Sequence, residues 1–108
     1  MILEIADIRI KPESAAQFDA AIRHGVESVI AHAHGFRGYR VTRGIETPER
    51  FVLMIFWDTL EDHMVAFRGS AAFPQWRAIV GPHFAAPPAV EHFTLIAGRE
   101  PAGGAHAG

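Results

Sequence analysis

Residues 57–73 read WDTLEDHMVAFRGSAAF, and His63 is the side chain in that stretch best suited to proton chemistry. An imidazole titrates near neutral pH, so modest changes around it decide whether it acts as a base, an acid or a neutral hydrogen-bond partner. Thr59, followed three residues later by Asp62, predicts a helix start, because a hydroxyl and an acidic side chain satisfy the free N–H groups there. The expected helix runs from about Leu60 to Arg68. At about 100° per residue, Leu60, His63, Met64 and Phe67 share one stripe, while Glu61, Asp62, Val65 and Arg68 lie towards its flanks and back. His63 therefore points at the expected core, either as a hydrogen-bonded core histidine or as a polar group facing a cavity.

Other candidates lie elsewhere in the chain. His92 shares a strand face with Val90 and Thr94, opposite Glu91, Phe93 and Leu95, and can face either the interior or solvent. His83 sits in a Pro-bounded connector, where a structural hydrogen bond and a place at a cavity mouth are both open. His24, His32, His34 and His106 are expected on exposed helix or tail surface. A metal site from His63, His83 and His92 is disfavoured, since no HxH or HxxxH pair preorganises two of them. His32-x-His34 has that form but stands at a helix end, where consecutive faces diverge, so no metal is expected. Asp7 shares its face with Leu3 and Ile5, which suggests a buried carboxylate paired with Arg9, Arg40 or Arg43, as an ion pair or as an acid. Phe67, Phe73 and Trp76 are core residues first and pocket lining second.

These side chains depend on the elements that hold them. ILEIADIRI (2–10) reads as a strand closed by Lys11-Pro12. Ser14 and Gln17 suggest a capping box, and Phe18, Ile22, Val26, Val29 and Ile30 recur at helical spacing up to Ala33, with Gly35 as a stop. FRGYRVTRGI (36–45) and RFVLMIFWD (50–58) read as a hairpin around Thr47-Pro48-Glu49. After the His63 helix, Ser70 can cap a further helix carrying Phe73, Trp76, Ile79 and Val80, ended by Gly81-Pro82. A stiff connector (82–88) leads to a last strand, AVEHFTLIA (89–97). The domain is expected to span 1–97, with 98–108 a disordered tail too poor in apolar surface to fold. Strand, helix, strand, strand, helix, strand is the split βαβ plan of a ferredoxin-like α+β fold with an antiparallel sheet.

The second strand of the hairpin adds a constraint. Phe51, Leu53, Ile55 and Trp57 lie on one face, and Val52, Met54 and Phe56 on the other, so both faces call for burial. Helices cover only one face of such a sheet. A second copy packed face to face around a two-fold axis covers the other, which predicts a homodimer.

Composition narrows the function. At 108 residues the chain is long enough for one core. A net charge of -2, with nine arginines and one lysine scattered from Arg9 to Arg99, gives no nucleic-acid surface. Zero cysteines exclude disulfides, thiolate catalysis and cysteine-ligated metal, and agree with a reducing, cytoplasmic setting. The longest apolar run, FVLMIFW, is too short to span a bilayer.

In order and spacing, residues 2–96 resemble the antibiotic biosynthesis monooxygenase (ABM) domain family of dimeric α+β barrels. The carriers are ILEIADIRIKP, GFRGYRVTRGIETPERFVLMIFWDTLEDH, FRGSAAFPQWRAIVGPHF and VEHF. The most recognisable local signature is Trp57, Asp58, Thr59, Glu61 and His63, followed by Ser70 and Phe73. The resemblance implies oxidation of a small aromatic, quinol or polyketide-like substrate by O2 without metal or flavin, since the substrate anion itself reduces oxygen. Such a site needs an apolar pocket, a base and a donor for the oxyanion. Carried onto this chain, His63 is the expected base and Arg40 or Arg77 holds the anion. Trp57, Phe67 and Trp76, with Phe36, Tyr39, Phe51 and Phe73, wall the pocket; His83 and His92 stand as further substrate contacts. Haem-degrading relatives differ where this chain has Ala6 or Asp7, Phe67 and Arg77, which disfavours that branch. A non-catalytic ligand-binding or stress-related barrel, or an isomerase or lyase using the same base, remains the alternative.

Overall fold

The computed structural model describes residues 1–102. Six main elements follow in order: β1 (Ile2–Arg9), α1 (Phe18–Ser28), β2 (Phe36–Arg43), β3 (Arg50–Trp57), α2 (Ala72–Val80) and β4 (Ala89–Thr94). The strands form one antiparallel sheet in the order β2-β3-β1-β4, which places β3 between the two strands joined through α1. This is the ferredoxin-like arrangement, and it follows from two βαβ-type crossovers whose helices lie on the same side of the sheet.

Period-two alternation decides what each strand buries. On β3, Phe51, Leu53, Ile55 and Trp57 are buried, while Val52, Met54 and Phe56 on the other face are half-buried. The register carries this face across β1, where Glu4 stands opposite Ile55, Ala6 opposite Leu53 and Ile8 opposite Phe51. On β4, His92 stands opposite Glu4 and Val90 opposite Ala6. The helix α1 closes this face with Phe18, Ile22 and Val26. Its Gly25 lets α2 approach closely, since a Cβ there would come within 2.8 Å of the Trp76 ring.

Three local expectations are corrected. Ser14 does not open the first helix; its hydroxyl is bonded to His83 Nδ1 at 2.8 Å, Pro12–Ser14 is a 3-10 turn, and α1 starts at Phe18. Second, the helix does not continue to Ala33: Val29 leaves helical geometry, and a separate 3-10 turn follows over Ile30–His32. Third, the His63 segment is a π-helical turn, Asp62–Phe67, in which Arg68 N–H donates to His63 C=O at 3.1 Å, five residues back. The wider turn breaks the predicted stripe. His63 and Phe67 are buried, but Leu60 and Met64 are 41% and 39% exposed. Its start is as expected, with Thr59 Oγ1 accepting the Asp62 N–H at 3.1 Å.

Asp7 is not a buried partner of Arg40 or Arg43. It lies on the helix-free face of the sheet, one third exposed, and takes a bidentate pair from Arg50 at 2.8 and 3.1 Å, with Arg9 at 3.9 Å. Of the expected tail (98–108), residues 103–108 and with them His106 lie outside the described residues; within the described part, Glu100 pairs with Arg40. No helix among the described residues is long and apolar enough to cross a membrane.

Candidate active site

Between the helix-facing side of the sheet and the helical layer lies a cavity of about 610 Å³. β1 contributes Glu4, Ala6 and Ile8, and β3 contributes Leu53 and Trp57. The π-turn brings His63, Phe67 and Arg68; α2 brings Phe73, Trp76 and Arg77; the connector over 84–88 completes the wall. Most of this lining is apolar and aromatic, a composition suited to a flat ring. Arg68 and Arg77 are exposed, and their guanidinium groups lie 5.9 and 5.8 Å from the centre of the Phe73 ring.

Besides the two arginines, a chain of three polar side chains runs along one wall, with Glu4 and His63 lining the cavity and His92 behind them. Glu4 is 6% exposed, and its Oε1 accepts the Trp57 indole N–H at 2.9 Å. His63 Nε2 lies 3.4 Å from the same oxygen, while His63 Nδ1 meets His92 Nε2 at 2.8 Å. His63 itself is 3% exposed and stacks on Trp57 at 5.3 Å between centroids and 18° between planes. Each member has a reason to be there. The period of β1 turns Glu4 inward, antiparallel pairing sets His92 across from it, and the π-turn lowers His63 onto both.

Burial governs their protonation. Desolvation raises Glu4 from 4.5 to about 6, against the lowering effects of the Trp57 hydrogen bond and the Arg68 charge. Desolvation also pulls His63 down to about 4, with the positive charges of Arg68 and His92 acting in the same direction. His92 is lowered by burial and by Arg68 as well. At neutral pH the group is therefore a carboxylate beside two neutral imidazoles. Among the described residues no three His, Asp or Glu side chains form a metal-binding group. His63 uses opposite ring nitrogens for its two neighbours, so the three lie in a row and do not converge on one point.

The predicted site residues divide accordingly. His63, Trp57, Phe67, Trp76 and Arg77 line the cavity, and His92 stands behind His63, bonded to it. Five residues are not brought there. The Tyr39 hydroxyl donates to Glu27 at 2.8 Å, outside the cavity lining. Arg40 lies on the helix-free face of the sheet, over Phe56 and paired with Glu100 at 2.7 Å. His83 is bonded to Ser14 and packs edge-on against Phe18 at 5.6 Å. Phe36 and Phe51 are core residues away from the cavity. Sequence reasoning missed Glu4 and Arg68. The signal for Glu4 was available, since period two puts it with Ala6 and Ile8 on the face opposite Asp7.

Fold and site together define a ferredoxin-like α+β domain with a ligand-sized internal cavity and a buried acid–histidine chain in its wall. Residues 1–79 match the family described as antibiotic biosynthesis monooxygenase, and the chain belongs to that family. It is 31% identical over 93 residues to the uncharacterized protein YczJ of Bacillus subtilis, covering 86% of this chain and 97% of that one. A Bordetella bronchiseptica structure, provisionally described as an antibiotic biosynthesis monooxygenase, is 40% identical with a TM-score of 0.82, covering 89% of this chain and 97% of that one. A Nitrosomonas europaea protein with the same provisional description shares the fold at 23% identity and a TM-score of 0.75, covering 90% of this chain and all of its own.

Proposed function

We propose that this protein is a cofactor-independent monooxygenase that oxidises a small aromatic, quinol or polyketide-like substrate with O2, with His63 in the polar wall of its pocket. The observation that carries this reading is the 610 Å³ aromatic cavity, which has ionisable groups at one wall and two arginines at its mouth. Family membership agrees with it. In the reaction a hydroxyl is deprotonated, the electron-rich ring reduces O2, one oxygen atom enters the ring and the other leaves as water; the substrate supplies all four electrons and leaves as a quinone. The aromatic walls hold the ring and exclude water, while Arg68 and Arg77 favour the anion. Arg77 takes the anion-holding role expected from the sequence, and Arg40 does not.

The working form proposed is a homodimer. Leu3, Ile5, Val52, Met54 and Phe56 are only half-buried on the helix-free face, beside Phe93 at 45% exposure, and a second sheet would cover them. The absence of cysteine agrees with a cytoplasmic location. Oxygen uptake with a panel of quinols and anthrone-like phenols tests the activity. Consumption by wild type that falls in His63→Ala at matched folding is the expected result. No consumption with any substrate, despite binding, would leave a ligand-binding barrel or an oxygen-independent isomerase or lyase.

A further inference from the structure

The pocket's base need not be its histidine. His63 Nδ1 is hydrogen-bonded to His92, and His63 Nε2 stands 3.4 Å from Glu4 Oε1, so any proton acceptor at this end of the cavity is shared with the carboxylate. Burial and the Arg68 charge also leave that imidazole a weak proton acceptor. Glu4 is better placed. It lines the cavity directly, and among the described residues only its Oε1 has partners, Trp57 Nε1 and His63 Nε2. No enclosed side-chain nitrogen or oxygen of the described residues lacks a hydrogen-bond partner, so the unbonded Oε2 is not sealed in; it opens on the cavity. A carboxylate held by one oxygen and open at the other has the geometry of a general base.

We propose that Glu4 is the catalytic base of this site, taking the hydroxyl proton of a phenolic or enolic substrate on Oε2. The inference rests on the reading above for its substrate class. In the step the substrate O–H bond breaks, its electron pair stays on the substrate oxygen, and the proton forms an O–H bond with Oε2. Glu4 becomes a neutral acid and the substrate an anion facing Arg68 and Arg77. His63 and His92, 2.8 Å apart, provide the route by which the acid returns its proton to solvent on the partly exposed side of β4.

Charge logic supports this assignment. Desolvation that raises Glu4 to about 6 makes it a stronger proton acceptor than His63 while leaving it ionised at neutral pH. The groups facing it are Trp57 from β3, His63 and Arg68 from the π-turn and His92 from β4, with Arg77 of α2 on the same cavity. With both histidines neutral, no second anion competes for the proton.

The test uses the full chain and 4-nitrophenol, whose anion absorbs at longer wavelength than the neutral phenol. Bound to Glu4→Gln, which mimics the neutral acid, its ionisation midpoint is expected about one pH unit below that in wild type, where an ionised Glu4 opposes a second negative charge unless it takes up the phenol's proton; Glu4→Asp returns the midpoint part of the way. Oxygen uptake on any accepted quinol falls about 100-fold or more in Glu4→Gln. Thermal melting checks that the variant is folded, which is expected because Gln keeps an oxygen for Trp57 and removes a buried charge. An unchanged midpoint in Glu4→Gln overturns the proposal, as does failure of wild type to bind or ionise 4-nitrophenol and larger nitronaphthols. Oxygen uptake undiminished in Glu4→Gln removes the base and leaves the monooxygenase. A midpoint shift that depends on Glu4, with no oxygen consumed by any form, leaves the base and removes the monooxygenase.

Discussion

Glu4 and Asp7 lie three residues apart on β1, on opposite faces of the same sheet, and the two carboxylates have opposite fates. Asp7 meets solvent and the Arg50 fork, whose hydrogen bonds hold its pKa below the ordinary value. Glu4 meets an indole N–H, a neutral imidazole and an apolar wall, and its pKa rises to about 6. The difference comes from whether desolvation is answered by a cation in direct contact. An answered carboxylate is a structural ion pair. An unanswered one at the edge of a cavity keeps its affinity for a proton, which is what a base needs.

The comparison can be broken most severely at Glu4. Besides the loss of oxygen uptake, Glu4→Gln is expected to gain stability at pH 7, because a rise from 4.5 to about 6 corresponds to a penalty of about 2 kcal/mol on the ionised form. The sign is set by the raised pKa: the penalty is absent below pH 4.5 and fully present above 6. His63 runs the other way. Its lowered pKa means that folding excludes a proton the unfolded chain binds, so stability is lost as pH falls from 6.5 towards 4. Chemical denaturation across pH 4 to 7 should therefore show a shallow profile in wild type and a steeper rise with pH in Glu4→Gln. Equal profiles would mean Glu4 is not desolvated.

Trp57→Phe removes the N–H that favours the carboxylate, so Glu4 should titrate above 6; a large loss of stability accompanies it, about 1–3 kcal/mol for a buried hydrogen bond and changed packing. Arg68→Gln removes a more distant positive charge and should shift Glu4 upward by less, with weaker binding of anionic phenols, read by the same spectral titration. The outer face has its own test. Phe56→Asp should leave the fold intact and convert a dimer to a monomer in sedimentation at micromolar concentration; a wild type already monomeric there would refute the proposed assembly. The smallest effect is expected at Asp7. Asp7→Asn breaks a surface pair and should shift the melting temperature by less than about 4 °C, with oxygen uptake unchanged.

Much of the fold was legible because it rests on periodicity. Alternation in ILEIADIRI and RFVLMIFW, the hairpin between 43 and 50 and the helical spacing from Phe18 to Val26 all depend on local pattern. What escaped depends on partners distant in sequence. Ser14 looked like a helix cap until His83, 69 residues on, took its hydroxyl. The π-turn moves backbone hydrogen bonds from four to five residues back, and residue types alone give no signal for that. His63 was found because a histidine in an apolar stripe is conspicuous. Glu4 is not conspicuous in that way, because its partners come from the π-turn and from β4, and Asp7 pairs with Arg50 of the neighbouring strand rather than with an arginine close in sequence. Arg40 and Tyr39 were grouped with the pocket by residue type, and only the sheet register and the contacts of each side chain separate them from it.

Carbon-detected NMR of side-chain carboxyls, followed from pH 3 to 8 in the ligand-free protein, tests the division between the two acids most directly. The account predicts that the Glu4 signal titrates near 6 and that Asp7 titrates below its ordinary value of 3.8. A Glu4 midpoint at or below 4.5 would contradict it, since an ordinary solvated carboxylate at that position would leave the cavity without its base.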